Sequence, residues 1–367
     1  MIEQERESVI LYWLMQIYGI GAVKIRRLYQ AFGSFETIYN IEESRFFEEK
    51  ILSMADCEKI REAKSHFGQA EEKYHMLQER GIQFITMMDE RYPERLRPMA
   101  DSPAALFVRG DLPEEDKPCA AIVGARNCSH YGRDMAEYLG RELGKHGVQI
   151  VSGLALGVDG AGHRGALQAQ SPTFGVLGCG ITTCYPPENY AIYEKMIYCG
   201  GVLSEYAPGT PPLAGNFPAR NRIISGLSDA VLVIEAREKS GALITAEFAL
   251  EQGKEVFALP GRVTDRLSKG CNQLLLNGAS LLLSEEEVLD FFSLKYQKKL
   301  NVYEKSINGL AKHQKMLYSF LDSEPKYLEQ IVKGTGLTVS ACLNGLMELE
   351  LQGYIMQTAS LYYVKKS

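Results

Sequence analysis

No apolar run in the 367 residues approaches the ~18 needed to span a membrane, and the opening Met1-Ile2-Glu3-Gln4-Glu5-Arg6-Glu7 lacks the basic-then-apolar pattern of a secretory signal. A cytoplasmic protein is expected. Basic excess is missing as well: 40 Lys and Arg against 46 Asp and Glu give −6, which excludes a chain that holds polyanions by bulk charge. Paired short cysteine spacings are also absent. The eight cysteines, at 57, 119, 128, 179, 184, 199, 271 and 342, form neither a zinc ribbon nor a dense disulfide framework. They read as reduced thiols, and no metal site is expected, the close pair Cys179 and Cys184 included. With 46% hydrophobic and 23% charged residues, wholesale disorder is excluded.

At roughly 150 residues per domain, the length predicts two to three domains. Charge is unevenly spread among them. Residues 1–100 hold 14 basic and 17 acidic groups, 101–294 hold 16 and 23, and 295–367 hold 10 and 6. Any polyanion must therefore be held by a local cluster of cations and backbone amides, against the field of an acidic middle segment.

That middle segment alternates apolar strand-like runs with helical stretches, the pattern of a parallel sheet with crossover helices. Seven runs are expected as strands: 120–124, 149–152, 173–177, 201–204, 230–234, 255–259 and 280–283. Helices are expected at 132–146, 159–170, 242–251 and 271–277, and 82–86 and 106–108 can extend one edge of the sheet. The fold class is α/β, an extended Rossmann-like doubly wound sheet with a helical N-terminal domain and a C-terminal winged-helix domain.

The first 80 residues read as short helices. Leu11, Leu14, Met15 and Tyr18 form one stripe, Gly19-Ile20-Gly21 interrupts it, and Val23, Ile25 and Leu28 begin another. This is either a helix-hairpin-helix turn followed by Lys24, Arg26 and Arg27, able to meet phosphates, or a plain tight turn with solvated cations. Past a polar stretch over 295–309, three helical patterns near 316–320, 327–333 and 339–351 precede Gly353 and strand-like 354–356 and 361–364. Such a winged helix would place its third helix in a major groove, yet no Lys or Arg occurs from Gly334 to Val364, while Glu348 and Glu350 sit on that helix. Protein contact or packing is expected of it. The domains are thus 1–80, 81–294, a linker 295–309, and 310–367.

Ligands of a doubly wound sheet bind beyond the carboxyl ends of its strands. Glycine and small hydroxyls dominate there: Gly124-Ala125-Arg126-Asn127, Ser152-Gly153, Gly178-Cys179-Gly180 and Ser240-Gly241, with Phe217-Pro218-Ala219-Arg220-Asn221-Arg222 following the fourth run. Backbone amides at such glycines can approach an anion closely, and arginines 126, 220 and 222 supply full charges. The alternative is that the glycines serve ordinary turns and the arginines pair with Glu205 or Glu235. A dinucleotide is disfavoured, because Arg126 stands where the second glycine of the Gly-x-Gly-x-x-Gly fingerprint belongs. The stretch from Ser240 to Glu247 bears a distant likeness to the phosphate loop of nucleoside-monophosphate phosphoribohydrolases, without their glycine density. His163 is the one histidine near the edge, and no catalytic triad is expected.

In order, Ile122-Val123-Gly124-Ala125-Arg126, Val151-Ser152-Gly153-Leu154-Ala155, Gly157-Val158-Asp159 with His163, and Gly178-Cys179-Gly180 with Tyr185-Pro186 resemble the DNA processing protein A (DprA/Smf) family. The likeness continues through Phe217-Pro218-Ala219-Arg220-Asn221-Arg222-Ile223-Ile224-Ser225-Gly226, Glu235-Ala236 with Ser240-Gly241-Ala242-Leu243-Ile244-Thr245-Ala246, and Pro260-Gly261 with Gly270-Cys271-Asn272. It spans about 104–283. The resemblance implies a protein of natural transformation that binds single-stranded DNA without sequence preference, protects it, dimerises and loads the RecA recombinase, with no resident cofactor and no catalytic residue. By position it implies DNA contacts at Gly124, Arg126, Ser152, Gly153, Gly178, Gly180, Phe217, Arg220, Asn221, Arg222, Ser240 and Gly241, with Phe217 or a nearby Tyr stacking a base. Ala219 and Glu188 stand where relatives often carry basic residues. A nucleotide-processing enzyme is the competing expectation.

Overall fold

The computed structural model describes residues 2–296, 311–322, 325–351 and 354–365. The chain divides into two compact units, Met1–Asp290 and Phe291–Ser367. Six helices open the first unit: α1 (Ile2–Met15), α2 (Ala22–Phe32), α3 (Phe35–Asn40), α4 (Ser44–Glu48), α5 (Met54–Lys64) and α6 (Phe67–Glu79). Local chemistry sets their ends. Ser53 and Asp56 cap α5 reciprocally, and Gly33, at φ +78°, closes α2 in the left-handed conformation that costs a glycine least. The Gly19-Ile20-Gly21 interruption joins α1 to α2, as its two apolar stripes imply. Its lysine is engaged internally: Lys24 Nζ donates to Gly19 O and Asp56 Oδ2, each at 2.8 Å. That lysine above all holds the Asp56 carboxyl down to about 2.

The sheet follows, built of β1 (Gln83–Thr86), β2 (Ala105–Gly110), β3 (Cys119–Val123), β4 (Gln149–Ser152), β5 (Thr173–Leu177), β6 (Gly200–Ser204), β7 (Ala230–Val233), β8 (Glu255–Ala258) and β9 (Ser280–Leu281). Their order across the sheet is β1-β2-β6-β5-β4-β3-β7-β8-β9. β3 to β9 run parallel, while β1 and β2 extend the β6 edge in antiparallel fashion. Every residue of β3, β4, β5, β6 and β7 is buried, which is why these strands read as continuous apolar or small-residue runs. The expected run 280–283 shortens to two paired residues.

Helices α7 (His130–Lys145), α8 (Val158–Gln168), α9 (Tyr190–Tyr198), α10 (Asn216–Leu227), α11 (Gly241–Glu251) and α12 (Lys269–Leu276) cover the sheet. Two of them, α9 and α10, were not expected from the sequence. The N-terminal helices share a core with the antiparallel edge, where the Tyr12 ring meets Phe84 and Phe107 edge-on at 5.7 and 6.0 Å.

The second unit packs helices Lys312–Phe320, Leu328–Thr335 and Val339–Leu351 around Leu317, Ile331, Leu346 and Leu349, with a three-stranded sheet of Lys326–Tyr327, Tyr362–Lys365 and Ile355–Ala359. The linker expected at 295–309 lies, from 297 onward, outside the described residues, as does Gly353. On the third helix Val339, Leu343, Met347 and Leu351, spaced four apart on one face, are all exposed.

Candidate functional site

Strand order reverses between β3 and β7, and crevices of doubly wound sheets open at such a switch point, beyond the strands' carboxyl ends. A cleft of about 650 Å³ lies there, lined by the β3 exit (Val123 to Asn127), the starts of α10 and α11, and the β7–α11 loop with Arg237 and Lys239. Gly124, Arg126, Phe217, Arg220, Asn221, Ser240 and Gly241 meet in it. They come from three separate chain segments.

Arg126 is exposed, with its guanidinium 5.3 Å from the centre of the Phe217 ring. Phe217 in turn lies 5.5 Å from the Tyr185 ring, tilted by 37°. A cation and two aromatic faces thus form a short ladder at the cleft. On the opposite wall Ser240 caps α11, Gly241 has nothing within 4 Å of a prospective Cβ, and Asn221 Nδ2 donates to Gly241 O at 3.2 Å. The Ser240 hydroxyl takes the Ala242 N–H at 3.4 Å and Ser240 O the Leu243 N–H at 3.0 Å, so it is the Gly241 amide that starts α11 beside exposed Arg237 and Lys239 at the cleft.

Arg220 forms part of the floor and is 4% exposed. Its Nη1 donates to Gly153 O at 3.0 Å and to Val176 O, tying the ends of β4 and β5 together, and Nε donates to Asn221 Oδ1 at 3.2 Å. Burial lowers its pKa to about 10, so it stays protonated at neutral pH. Asp159 lies beside it. Burial raises that carboxyl, against the Arg220 charge and the Gly153 and Ala155 amides that favour its ionised form.

Other expected site residues are placed elsewhere. Arg222 is buried and turned away from the cleft: Nη2 meets Glu205 Oε1 at 2.8 Å and Nε meets Asp101 Oδ2 at 3.1 Å. The pairing with Glu205, left open from the sequence, is the one this structure holds. The three guanidinium groups do not share one cradle. Ser152 is fully buried and its hydroxyl donates to Ile122 O at 2.6 Å. The Gly153 amide donates to Asp159 Oδ2 at 3.1 Å, so that glycine loop already holds a carboxylate. Gly178 supports the Phe217 ring from beneath, where a Cβ would stand 2.8 Å from it, and the Gly180 amide donates to Thr210 O at 2.9 Å. His163 is buried, its Nδ1 2.7 Å from Thr173 Oγ1, and burial lowers its pKa to about 3, which keeps the ring neutral. Glu247 is exposed on α11 and does not line the cleft.

Sequence reasoning missed Arg237 and Lys239 as lining residues, and it placed Asn127, Tyr185 and Thr245 in motifs at the edge without counting them among the site residues. Arg237 and Lys239 carried a usable signal, since they follow the fifth expected run directly. Among the described residues, no three His, Cys, Asp or Glu side chains gather closely enough to hold a metal ion, and no helix is long and apolar enough to cross a membrane.

A doubly wound sheet with its cleft at the switch point, a helical N-terminal layer and a separate winged helix define a Rossmann-like α/β protein with a winged-helix module. Residues 83–293 match the DNA recombination-mediator protein A family, and 304–359 match the DprA winged helix domain. The chain belongs to this family, also called DprA/Smf. It is 33% identical over 395 aligned residues to protein Smf of Synechocystis sp., covering 97% of this chain and 98% of that one. With DNA processing protein DprA of Bacillus subtilis it shares 42% over 213 residues, 58% of this chain and 72% of that one. Among solved structures, DNA processing protein A of Streptococcus pneumoniae superposes with a TM-score of 0.66 at 33% identity, covering 76% of this chain and 97% of that one. The Helicobacter pylori protein, solved for its single-stranded DNA binding mode, gives 0.52 at 32%, covering 58% and 97%.

Proposed function

We propose that this chain binds single-stranded DNA without reading its sequence, in the cleft between β3 and β7, and passes the strand to the RecA recombinase as a homodimer. The observation that carries the binding is the ladder of Arg126, Phe217 and Tyr185 facing Gly241 at the start of α11 across one cleft. Bases have π faces and so stack on aromatic rings whatever their identity, while phosphates take cations and helix N-terminal amides. Arg126, Arg237, Lys239 and the Gly241 amide are the phosphate contacts, and Phe217 with Tyr185 is the base platform. Arg220 acts from below, holding the loops on which this arrangement stands. The H. pylori relative's single-stranded DNA binding mode supports the choice of ligand. Transfer to RecA and dimerisation rest on membership of a recombination-mediator family. The segment 81–294 does the binding, 310–367 contacts protein, and the chain acts as a binding protein rather than an enzyme.

Fluorescence anisotropy against labelled single strands and duplexes at two salt concentrations tests this. Single strands should bind more tightly than duplex, and Arg126→Ala should weaken binding about tenfold for every sequence and lower the salt slope by about one. Unchanged binding by Arg126→Ala removes the cleft from the reading, and release of free base from nucleoside monophosphates would replace it with an enzyme.

A further inference from the structure

Dinucleotide-binding proteins of this architecture seat a pyrophosphate on the amides that open the first helix beside the switch point. Here that position is the start of α7, after β3, and a side chain of the protein already fills it. Glu235, leaving the end of β7 and only 4% exposed, brings its carboxyl group against the first turn of α7. Ser129, the α7 N-cap, donates its backbone N–H to Glu235 Oε2 at 2.8 Å and its hydroxyl to Oε1 at 2.5 Å. The same hydroxyl accepts the Gly132 N–H at 3.0 Å. Gly132 makes the room: a Cβ there would stand 2.4 Å from the Glu235 carboxyl carbon.

The next loop repeats the arrangement. Asp159 Oδ2 accepts from the Gly153 amide at 3.1 Å and the Ala155 amide at 3.4 Å, with Arg220 as its counter-charge. The α11 start differs, for it meets the cleft at Gly241 with open space around it. A carboxylate presents two oxygens in the fork that backbone and hydroxyl donors otherwise offer to a phosphate. The turns that open α7 and α8 are therefore closed from within by carboxylates.

We propose that Glu235 is a resident anion that occupies the α7 phosphate seat, and so determines specificity by excluding nucleotide pyrophosphates while leaving the α11 side to single phosphates of a polymer. Its consequence for ligand choice rests on the phosphate reading of the cleft. The filling of the seat does not, and is tested without DNA.

The experiment is thermal melting of the full chain followed by Trp13 fluorescence, for wild type, Glu235→Ala and Glu235→Gln, in chloride buffer and then with acetate or inorganic phosphate added. Glu235→Ala should melt at least about 4 °C below wild type. Acetate or phosphate should restore more than half of that loss with saturation, and ADP measured by calorimetry should bind this variant at least about tenfold more tightly than wild type. Wild type should move by less than about 1 °C with either anion, and Glu235→Gln, which refills the space without charge, should melt low and resist rescue. A Glu235→Ala protein that folds only with acetate present gives the same support. Anion-insensitive melting of Glu235→Ala, or equal ADP affinity in the two proteins, overturns the proposal. If Glu235→Ala does not fold under any condition, Glu235→Gln decides, and a melting point within about 1 °C of wild type overturns it. Rescue by acetate in a chain that fails to bind single strands would leave this inference standing and remove the functional reading alone.

Discussion

The switch-point cleft and the winged helix each offer a nucleic acid a groove or a helix, and their chemistry is opposite. The cleft at the β3–β7 switch point gathers Arg126, Arg237 and Lys239 with the Phe217 and Tyr185 rings. The third helix of the winged-helix unit, Val339–Leu351, turns Val339, Leu343, Met347 and Leu351 outward, and no cation occurs from Gly334 to Val364. A winged helix has the shape to enter a major groove, but reading bases needs side-chain donors and holding phosphates needs charge or amides. The module with the better-known DNA-binding shape is thus the worse equipped of the two. Function follows the groups a fold presents, and the fold alone does not supply them.

The contrast can be broken at several points, beginning with stability. His163 lies in the first unit with a pKa lowered to about 3 by burial, below the usual value near 6.5. Its folded-state pKa is the lower one, so the unfolded chain takes up the proton first. The stability is whole above about pH 6.5 and is lost as pH falls toward 3, at up to about 1.4 kcal/mol per pH unit. The chain's single tryptophan, Trp13, is in this unit and reports it alone. Urea midpoints read by its fluorescence should fall between pH 7 and 5, and His163→Gln should flatten that slope. An unchanged slope would remove His163 as the acid-sensitive group.

Next in size is the platform. Phe217→Ala removes a stacking face and the ring under Arg126, and should weaken single-strand binding by about 2 kcal/mol, roughly thirtyfold, in anisotropy titrations. Arg237→Ala and Lys239→Ala should each cost roughly threefold at low salt, with the difference shrinking as salt rises, because both cations are exposed and screened. The smallest effect belongs to the winged helix. Leu343→Ala and Met347→Ala should change single-strand affinity by less than about twofold, within the scatter of such titrations. A larger loss there would erase the division of labour between the units.

Much of the scaffold was legible because buried parallel strands leave a direct trace. Runs such as Ala120–Val123 and Thr173–Leu177 are apolar or small on both faces, and their glycine-rich exits pointed to the carboxyl edge of the sheet, where the cleft lies. Helix α10 was not legible. Its start, Phe217-Pro218-Ala219-Arg220, follows a long turn rich in proline and glycine and reads as loop, although proline is tolerated in a helix's first turn where its missing N–H has no partner to lose. That miss carried over to the site. On one helix, Arg220 and Arg222 stand two residues apart and so point to different faces, one to the cleft floor and the other to Glu205 and Asp101. Three arginines in the same motif set looked like one cradle because sequence spacing does not show which way a helix is turned.

The succession of strands, the winged helix's want of cations and the family follow from the amino-acid sequence by itself, because periodicity, composition and motif order are local properties of the chain. Only the tertiary structure decided which charges remain free. Arg126 faces open space while Arg222 is neutralised, and Glu235 and Asp159 occupy amides that glycine-rich turns had offered to an external anion. The physical reason is that a charge or an amide is spent or available according to what stands within about 3 Å of it. In this fold those neighbours lie from six residues away, as Asp159 from Gly153, to 106, as Glu235 from Ser129.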